Sequence, residues 1–150
     1  MHVILEDLAL VPICYYMSNE DQILRIFQYS KRIAGIGLSN KPWRPSFGVS
    51  QYMMSQGYEI VPVNPEILES LGKTSYASLD DVPFGIEIVN IFRDSHFVSP
   101  IVDQAIALGV TCIWMQEGVR DDVAAERARI AGVFVVQDCC ILKFHQRLLK

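Results

Sequence analysis

The stretch "GIGLSNKPWRPS" (residues 35–46) carries two glycines one residue apart, directly after an apolar run that predicts a strand. Glycines at such a place let the backbone approach a phosphate closely. Lys41 and Arg44 lie in the same loop, and Arg93 follows a later apolar run. The forked donors of an arginine match the oxygens of a phosphate. These residue types and their spacing predict a site for an anion.

The helix that follows the loop adds to this prediction. Ser46 comes after Pro45, at the position where an N-cap residue would open a helix. The free N–H groups of the first turn and the positive end of the helix dipole would then face the loop. The sequence therefore predicts that the anion site combines side-chain cations with a helix start.

A nicotinamide dinucleotide is the first ligand to consider, because glycine loops after a strand often hold its pyrophosphate. That motif needs a third glycine, where this chain has Asn40, and an acid at the end of strand two to hold the ribose. Strand two ends here in Asn64 and Pro65, and the next acid is Glu66. An NAD(P)-binding redox-sensing domain is therefore the alternative and not the leading hypothesis.

The elements that must position these residues alternate along the chain. Apolar runs predict strands over residues 32–39, 58–65, 86–92, 111–116 and 133–137. Amphipathic segments predict helices over residues 19–31, 46–57, 95–109, 121–132 and 140–149, with a polar connection at 66–83 that holds one helical turn. The runs are nearly unbroken, which is typical of strands covered on both faces. The fold predicted is α/β: a doubly wound, Rossmann-like sheet of about five parallel strands with helices on both faces.

Length and composition agree with one globular domain. The chain has 150 residues, of which 51% are hydrophobic and 20% charged. A net charge of −4 argues against nucleic acid as a partner. No apolar stretch is long enough to span a membrane, and the apolar start lacks a basic region typical of a signal peptide. We expect a cytoplasmic protein, with residues 1–18 as an extension of unknown role and residues 19–150 as the domain.

The four cysteines, Cys14, Cys112, Cys139 and Cys140, form no C-x-x-C pair. Adjacent cysteines suit neither a structural disulfide nor a tetrahedral zinc site, so reduced thiols and no metal are expected. Cys112 lies within an apolar strand pattern and is predicted to be a small core residue.

Ligands of open parallel sheets bind beyond the carboxyl ends of the strands. Polar or unusual residues stand at each of these predicted ends: Gly37-Leu38-Ser39, Asn64-Pro65, Phe92-Arg93, Gln116-Glu117-Gly118 and Asp138-Cys139-Cys140. We expect the site at this edge of the sheet.

A family resemblance rests on motifs that occur in one order along the chain. They are "GLSNKPWRPSFGV", "GYEIVPVNP", "LGKTSYASLDDVP", "IVNIFR", "AIALGVTCIWMQEGV", "AAERARIAGVFVVQD" and a late cysteine and histidine. From about Lys31 to Leu148 the chain resembles the small stand-alone CoA-binding proteins. That family is similar to the amino-terminal CoA-binding domain of the succinyl-CoA synthetase alpha subunit and of ADP-forming acyl-CoA synthetases.

The resemblance implies that coenzyme A lies across the carboxyl ends of the strands. It implies one group of residues along the nucleotide end and its phosphates: Gly37, Leu38, Ser39, Arg44, Pro45 and Ser46. A second group would shape the adenosine side and face the cofactor from strand three: Asn64, Pro65, Tyr76, Phe92 and Arg93. A third group would flank the pantetheine path and close the site: Gln116, Gly118, Asp138 and Cys140. The chain departs from the family where Cys139 replaces an arginine and Phe144 replaces a common acid.

Catalysis is not expected of this chain alone. Synthetases of the related kind need a phosphorylated histidine from a second domain and an ATP-grasp partner, for which 150 residues leave no room. His2, His96 and His145 stand in no recognisable catalytic motif. The expectation is a module that binds CoA or an acyl-CoA, with a homo-oligomer or a partner enzyme subunit as possible assemblies. The alternative is a subunit of an acyl-CoA synthetase-type enzyme.

Overall fold

A computed structural model describes residues 19–149 of the chain. The extension expected over residues 1–18, together with His2 and Cys14, lies outside the described residues. Five parallel strands form the main sheet, and helices cover both of its faces, which confirms the predicted fold class.

The elements follow one another in the predicted alternation, and most are shorter than predicted. The first half contains α1 (Asn19–Tyr29), β1 (Arg32–Ile36), α2 (Pro45–Ser55), β2 (Glu59–Val63), β3 (Glu69–Ser70) and β4 (Lys73–Thr74). The second half contains β5 (Ile88–Ile91), α3 (Val98–Leu108), β6 (Cys112–Met115), α4 (Asp122–Ile130), β7 (Phe134–Val136) and α5 (Ile141–Leu148). Short 3₁₀ helices cover Leu79–Asp81 and Ser95–Phe97.

The strand order is β2-β1-β5-β6-β7, and every neighbouring pair is parallel. The chain leaves β1 toward one edge of the sheet, returns to pair β5 with β1, and then proceeds toward the other edge. The order therefore reverses between β1 and β5, where Ile36 lies opposite Ile91. In open α/β sheets a crevice opens at such a switch point, beyond the carboxyl ends of the two strands.

Alternate residues of the buried strands supply two separate cores. Ile33, Ile88 and Trp114 pack on one face, beneath α1, α2 and α5. Ala34, Val89 and Ile113 pack on the other face, beneath α3 and α4. Side chains along a strand alternate between faces, so a residue two positions after Ile88 faces α2 and α5 again.

The segment between β2 and β5 differs from the prediction of a polar connection with one helical turn. It contains one helical turn, the 3₁₀ helix Leu79–Asp81, and also a small antiparallel hairpin of β3 and β4. Leu71 and Gly72 both have positive φ angles, 55° and 73°, as a two-residue hairpin turn requires. Strands of two residues are too short to show a hydrophobic periodicity, and therefore no sequence pattern predicts them.

None of the helices in the described part of the chain is long and apolar enough to cross a membrane. Across residues 19–149, no three histidine, cysteine or carboxylate side chains cluster in a way that could hold a metal ion.

Candidate functional site

A cavity of about 410 Å³ opens at the carboxyl ends of β1, β5 and β6, at the switch point of the sheet. Its volume lies in the range of about 300–1,000 Å³ that is typical of small-molecule sites. The wall combines residues from the loops after these strands with the starts of α2 and α5. The lining residues are Gly37, Ser39, Arg44, Pro45, Ser46, Val49, Phe92, Gln116, Glu117, Val119 and Cys140.

Gly37 begins the loop after β1 and is held in a conformation that favours glycine. Its φ is 86°, and its N–H donates to the carbonyl of Val63 at 2.8 Å, which extends the β1–β2 pairing by one residue. A Cβ atom at this position would lie 2.8 Å from Cδ of Arg93. The second glycine of the motif, Gly37, is thus required by backbone geometry and by the Arg93 side chain that crosses it.

Hydroxyl groups hold the rest of the loop in place. The Ser39 N–H donates to Oγ of Ser46 at 3.0 Å, and the Lys41 N–H donates to Oγ of Ser39 at 3.0 Å. Oγ of Ser70, in the small hairpin, donates to the Ser39 carbonyl at 2.8 Å. The cavity therefore has a preorganised wall in which Ser39 and Ser46 are bonded to each other.

The start of α2 corrects the predicted role of Ser46. Arg44 is the N-cap residue, and Pro45 occupies the first turn, where its missing N–H costs nothing. Ser46 lies within the helix, and its hydroxyl caps the Ser39 N–H instead of the helix. The predicted consequence is kept in part. The N–H groups of Phe47 and Gly48 donate to the Arg44 carbonyl at 3.0 and 3.3 Å, and Pro45 has no N–H, so the Ser46 N–H is the group of the first turn left for a ligand. This end of α2, with its positive dipole charge, borders the cavity.

Two charged side chains line the cavity, and they differ in their partners. Glu117 accepts a hydrogen bond from Nζ of Lys143 at 2.8 Å, which neutralises it and raises the pKa of Lys143. Arg44 makes no ion pair within residues 19–149 and is exposed. The cavity thus offers a positive charge beside a helix start.

The other predicted cation, Arg93, borders the site without lining the cavity. Its guanidinium lies over the ring of Phe97, 4.0 Å from the centroid, and its stem crosses Gly37. Lys41 lies 6.0 Å from the Trp43 ring, and both are exposed. The cluster of three cations expected at one rim is therefore reduced to Arg44 at the cavity wall.

The residues predicted at the end of β2 support the loop from behind. Nδ2 of Asn64 donates to the carbonyl of Leu38 at 3.0 Å, and Leu38 itself is fully buried. Pro65 is exposed. Tyr76 pairs with Val63 in a bridge along the outer side of β2. None of these four predicted residues, Leu38, Asn64, Pro65 and Tyr76, lines the cavity.

A hydrogen bond to a side chain joins the loops that follow β6 and β7. The Gly118 N–H donates to Oδ1 of Asp138 at 2.7 Å, and both residues have positive φ angles, 84° and 56°. This contact positions Cys140, the N-cap residue of α5. Cys140 is buried and lines the cavity. Gly118 and Asp138 hold the loops together and do not line the cavity.

Several cavity residues were not among the predicted ones. Val49 and Val119 supply apolar wall, and Glu117 supplies the carboxylate that Lys143 pairs with. Val49 was part of a helical pattern and Glu117 part of a strand end, so each carried a weak signal. No sequence pattern indicated Val119, because the turn at Gly118 directs its side chain toward the cavity.

The remaining cysteine and histidine candidates, Cys112 and His145, are buried away from the cavity among core residues. Cys112 is completely buried in β6, which confirms the prediction that it is a core residue. This burial raises the pKa of its thiol. His145 is buried on α5, where Nδ1 lies 2.9 Å from the Tyr52 hydroxyl and the ring contacts Phe27 edge-on. The three described cysteines, Cys112, Cys139 and Cys140, form no disulfide.

The fold and the site define a class: a Rossmann-like α/β protein with a ligand-sized cavity at its topological switch point. Residues 31–146 match the family described as "CoA binding domain", and the chain belongs to this family. The expected relationship to CoA-binding proteins is thereby confirmed.

The chain is also similar to individual proteins and solved structures. The chain is 39% identical over 127 residues to "Uncharacterized protein YneT" of Bacillus subtilis (strain 168), covering 85% of this chain and 94% of that one. A solved structure of a hypothetical protein from Pyrococcus horikoshii OT3 is 34% identical to this chain, with a TM-score of 0.85. The match covers 89% of this chain and 94% of that one. The dinucleotide forming acetyl-coenzyme A synthetase 1 of Ca. Korarchaeum cryptofilum is 23% identical, with a TM-score of 0.65. This chain corresponds to 27% of that enzyme, and the likeness is one of fold.

Proposed function

We propose that this protein binds coenzyme A or an acyl-CoA in the cavity at the carboxyl ends of β1, β5 and β6. It does so as a binding or regulatory module without catalysis of its own. The observation that carries the proposal is the position of Arg44 and the start of α2 at a preorganised cavity, in a chain of the CoA binding domain family.

The phosphates of the ligand would lie against the loop after β1. Arg44 supplies a charged, forked donor, and the first turn of α2 supplies the Ser46 N–H and positive dipole charge. Gly37 has no side chain to block the approach, and Ser39 is already held by Ser46. Preorganisation of this kind lowers the entropic cost of binding.

The pantetheine arm would cross the cavity from this loop toward α5. Val49, Phe92 and Val119 provide apolar contacts along the way, and Gln116 and Cys140 stand at the far wall. CoA is longer than the cavity, so its nucleotide end extends beyond it. We place the adenosine over the loop after β2, where Asn64 and Pro65 follow the strand and Tyr76 closes the connection.

The residues behind the wall act on the ligand through the loops that they hold. Leu38 anchors the first loop in the core, and Arg93 fills the space over Gly37. Gly118 and Asp138 fix the last two loops relative to each other. We assign these residues to the support of the site.

Titration of the purified protein tests the proposal. CoA and acetyl-CoA should bind at micromolar concentration, and NADH and NADPH should bind much more weakly. Arg44→Ala should weaken the affinity for CoA about 10- to 100-fold, as expected for the loss of a charged hydrogen bond worth about 1.5–3 kcal/mol. Arg129→Ala, which removes an exposed arginine from the last turn of α4, is the matched control and should bind CoA normally.

Binding of NADH without binding of CoA would contradict the proposal and favour the NAD(P) alternative. Equal CoA affinity in wild type and Arg44→Ala would show that the phosphates are placed wrongly. Turnover of an acyl-CoA by the isolated protein would contradict the non-catalytic part of the proposal.

A further inference from the structure

Asn90 is a polar residue in the middle of the buried central strand β5, where apolar residues surround it in the sequence. It is 1% exposed. Burying an amide without hydrogen bonds destabilises a protein by about 1–3 kcal/mol, so an apolar residue would suit this position better. The neighbours in register are Gly35 on β1 and Trp114 on β6, neither of which bonds to its amide.

The partner of Asn90 is Gln116, directly after β6. Nε2 of Gln116 donates to Oδ1 of Asn90 at 2.7 Å. Gln116 is 7% exposed and lines the cavity, whereas Asn90 lies behind it and does not. The alternation of side chains directs Asn90 to the face beneath α2 and α5, which is the side on which the cavity opens.

This bond leaves hydrogen-bonding groups of Gln116 for the cavity. A carboxamide has one acceptor oxygen and two N–H donors, and the bond to Asn90 uses one N–H. Within residues 19–149, the Gln116 side chain forms no other hydrogen bond. Its oxygen and its second N–H are thus available together, at the wall of the cavity, on a side chain that is more than nine-tenths buried.

We infer that Gln116 pairs with an amide group of the ligand and that Asn90 is the positioning residue that fixes the Gln116 carboxamide. A secondary amide carries one carbonyl oxygen and one N–H, which complement the N–H and the oxygen that Gln116 has left. This inference rests on the proposed function: the pantetheine arm of CoA contains two such amides, and its nucleotide end contains none. The adenine of the nucleotide end also offers a donor beside an acceptor. Because we place the adenosine outside the cavity, over the loop after β2, Gln116 pairs with the arm and not with the nucleotide.

Two ligands separate this role from a general structural one. CoA has the pantetheine arm, and adenosine bisphosphate, the nucleotide end of CoA without the arm, lacks it. Affinities for both are measured by calorimetric titration of wild type, Gln116→Met and Asn90→Ala. Methionine keeps the length of the side chain and removes its donors and acceptor. Gln137→Met is the matched control, because Gln137 bonds to the start of α4 and does not line the cavity.

Gln116→Met should bind CoA about tenfold more weakly, the effect of losing about one net hydrogen bond, and should bind adenosine bisphosphate as wild type does. Asn90→Ala should change the ratio of the two affinities in the same direction. Gln137→Met should leave the ratio unchanged.

Unchanged CoA affinity in Gln116→Met, or an equal loss for both ligands, would overturn the inference while CoA binding by wild type still supports the proposed function. Full CoA affinity in a folded Asn90→Ala protein would overturn the positioning role. If Asn90→Ala does not fold, Gln116→Met alone decides the amide pairing. Failure of the wild-type protein to bind CoA would overturn the proposed function itself.

Discussion

Gly37 joins two requirements at one position, because its backbone needs a positive φ and its Cα lies under the stem of Arg93. The five other glycines with positive φ among residues 19–149 meet only the first requirement: Gly57, Gly72, Gly109, Gly118 and Gly132. Gly57, at the end of α2, has a φ of 102°, and a Cβ there would meet no atom within 4 Å. The two glycines therefore separate the cost of conformation from the cost of close approach.

Both Gly37→Ala and Gly57→Ala should lower the free energy of unfolding by about 1–2 kcal/mol, because alanine disfavours the left-handed region. Gly37→Ala should lower the free energy of unfolding more than Gly57→Ala does, since the new Cβ must displace Arg93 from its place over Phe97. Of the two variants, only Gly37→Ala should also weaken the binding of CoA. Urea denaturation and CoA titration of both variants measure this. Equal losses of stability together with normal CoA affinity would show that the approach at Gly37 is unimportant.

At the scale of elements, Tyr58 connects α1 to the strand beside the site. It directly precedes β2, and its hydroxyl donates to the carbonyl of Phe27 on α1 at 2.6 Å. Burial, with a smaller contribution from Tyr52, raises the pKa of Tyr58 from 10.0 to about 12. The neutral phenol is therefore stabilised by folding, and its contribution is complete below the unfolded value and lost as the pH rises through the folded one.

The stability of the wild-type protein should thus fall between pH 10.0 and about 12 through this group. Tyr58→Phe should be less stable by about 1 kcal/mol at neutral pH, because one hydrogen bond is lost. Its deficit relative to wild type should shrink above pH 10.0, since phenylalanine does not ionise in the unfolded chain. Urea midpoints of both proteins across this range provide the measurement. A constant difference at all pH values would contradict the raised pKa.

The start of α2 shows why elements are easier to predict than caps. The apolar runs identified each strand of the main sheet, because a buried parallel strand is apolar on both faces. The sequence predicts Ser46 as the N-cap of α2, since serine commonly caps helices. The structure uses Arg44, because Pro45 fits the first turn and Ser46 bonds to a loop residue seven positions earlier. A local pattern cannot show such a tertiary hydrogen bond.

For the whole molecule, parallel strands bring their carboxyl ends to one edge, and that rule located the candidate site from sequence. The glycine loop, Arg44, Phe92, Gln116 and Cys140 were predicted at this edge and line one cavity. The strand order was not predicted, because no local signal specifies which strand returns to β1. For the same reason the sequence indicates Asn90 only as part of an apolar strand. Its hydrogen bond with Gln116 depends on the pairing of β5 with β6, which no local pattern predicts.

The most direct test of the account follows backbone amide chemical shifts of the full chain during titration with CoA. The account predicts that the largest changes occur at residues 37–46 and 116–119, around the cavity, with little change along β7. An absence of shifts, or shifts centred on the recess that β7 forms with the start of α1, would contradict it.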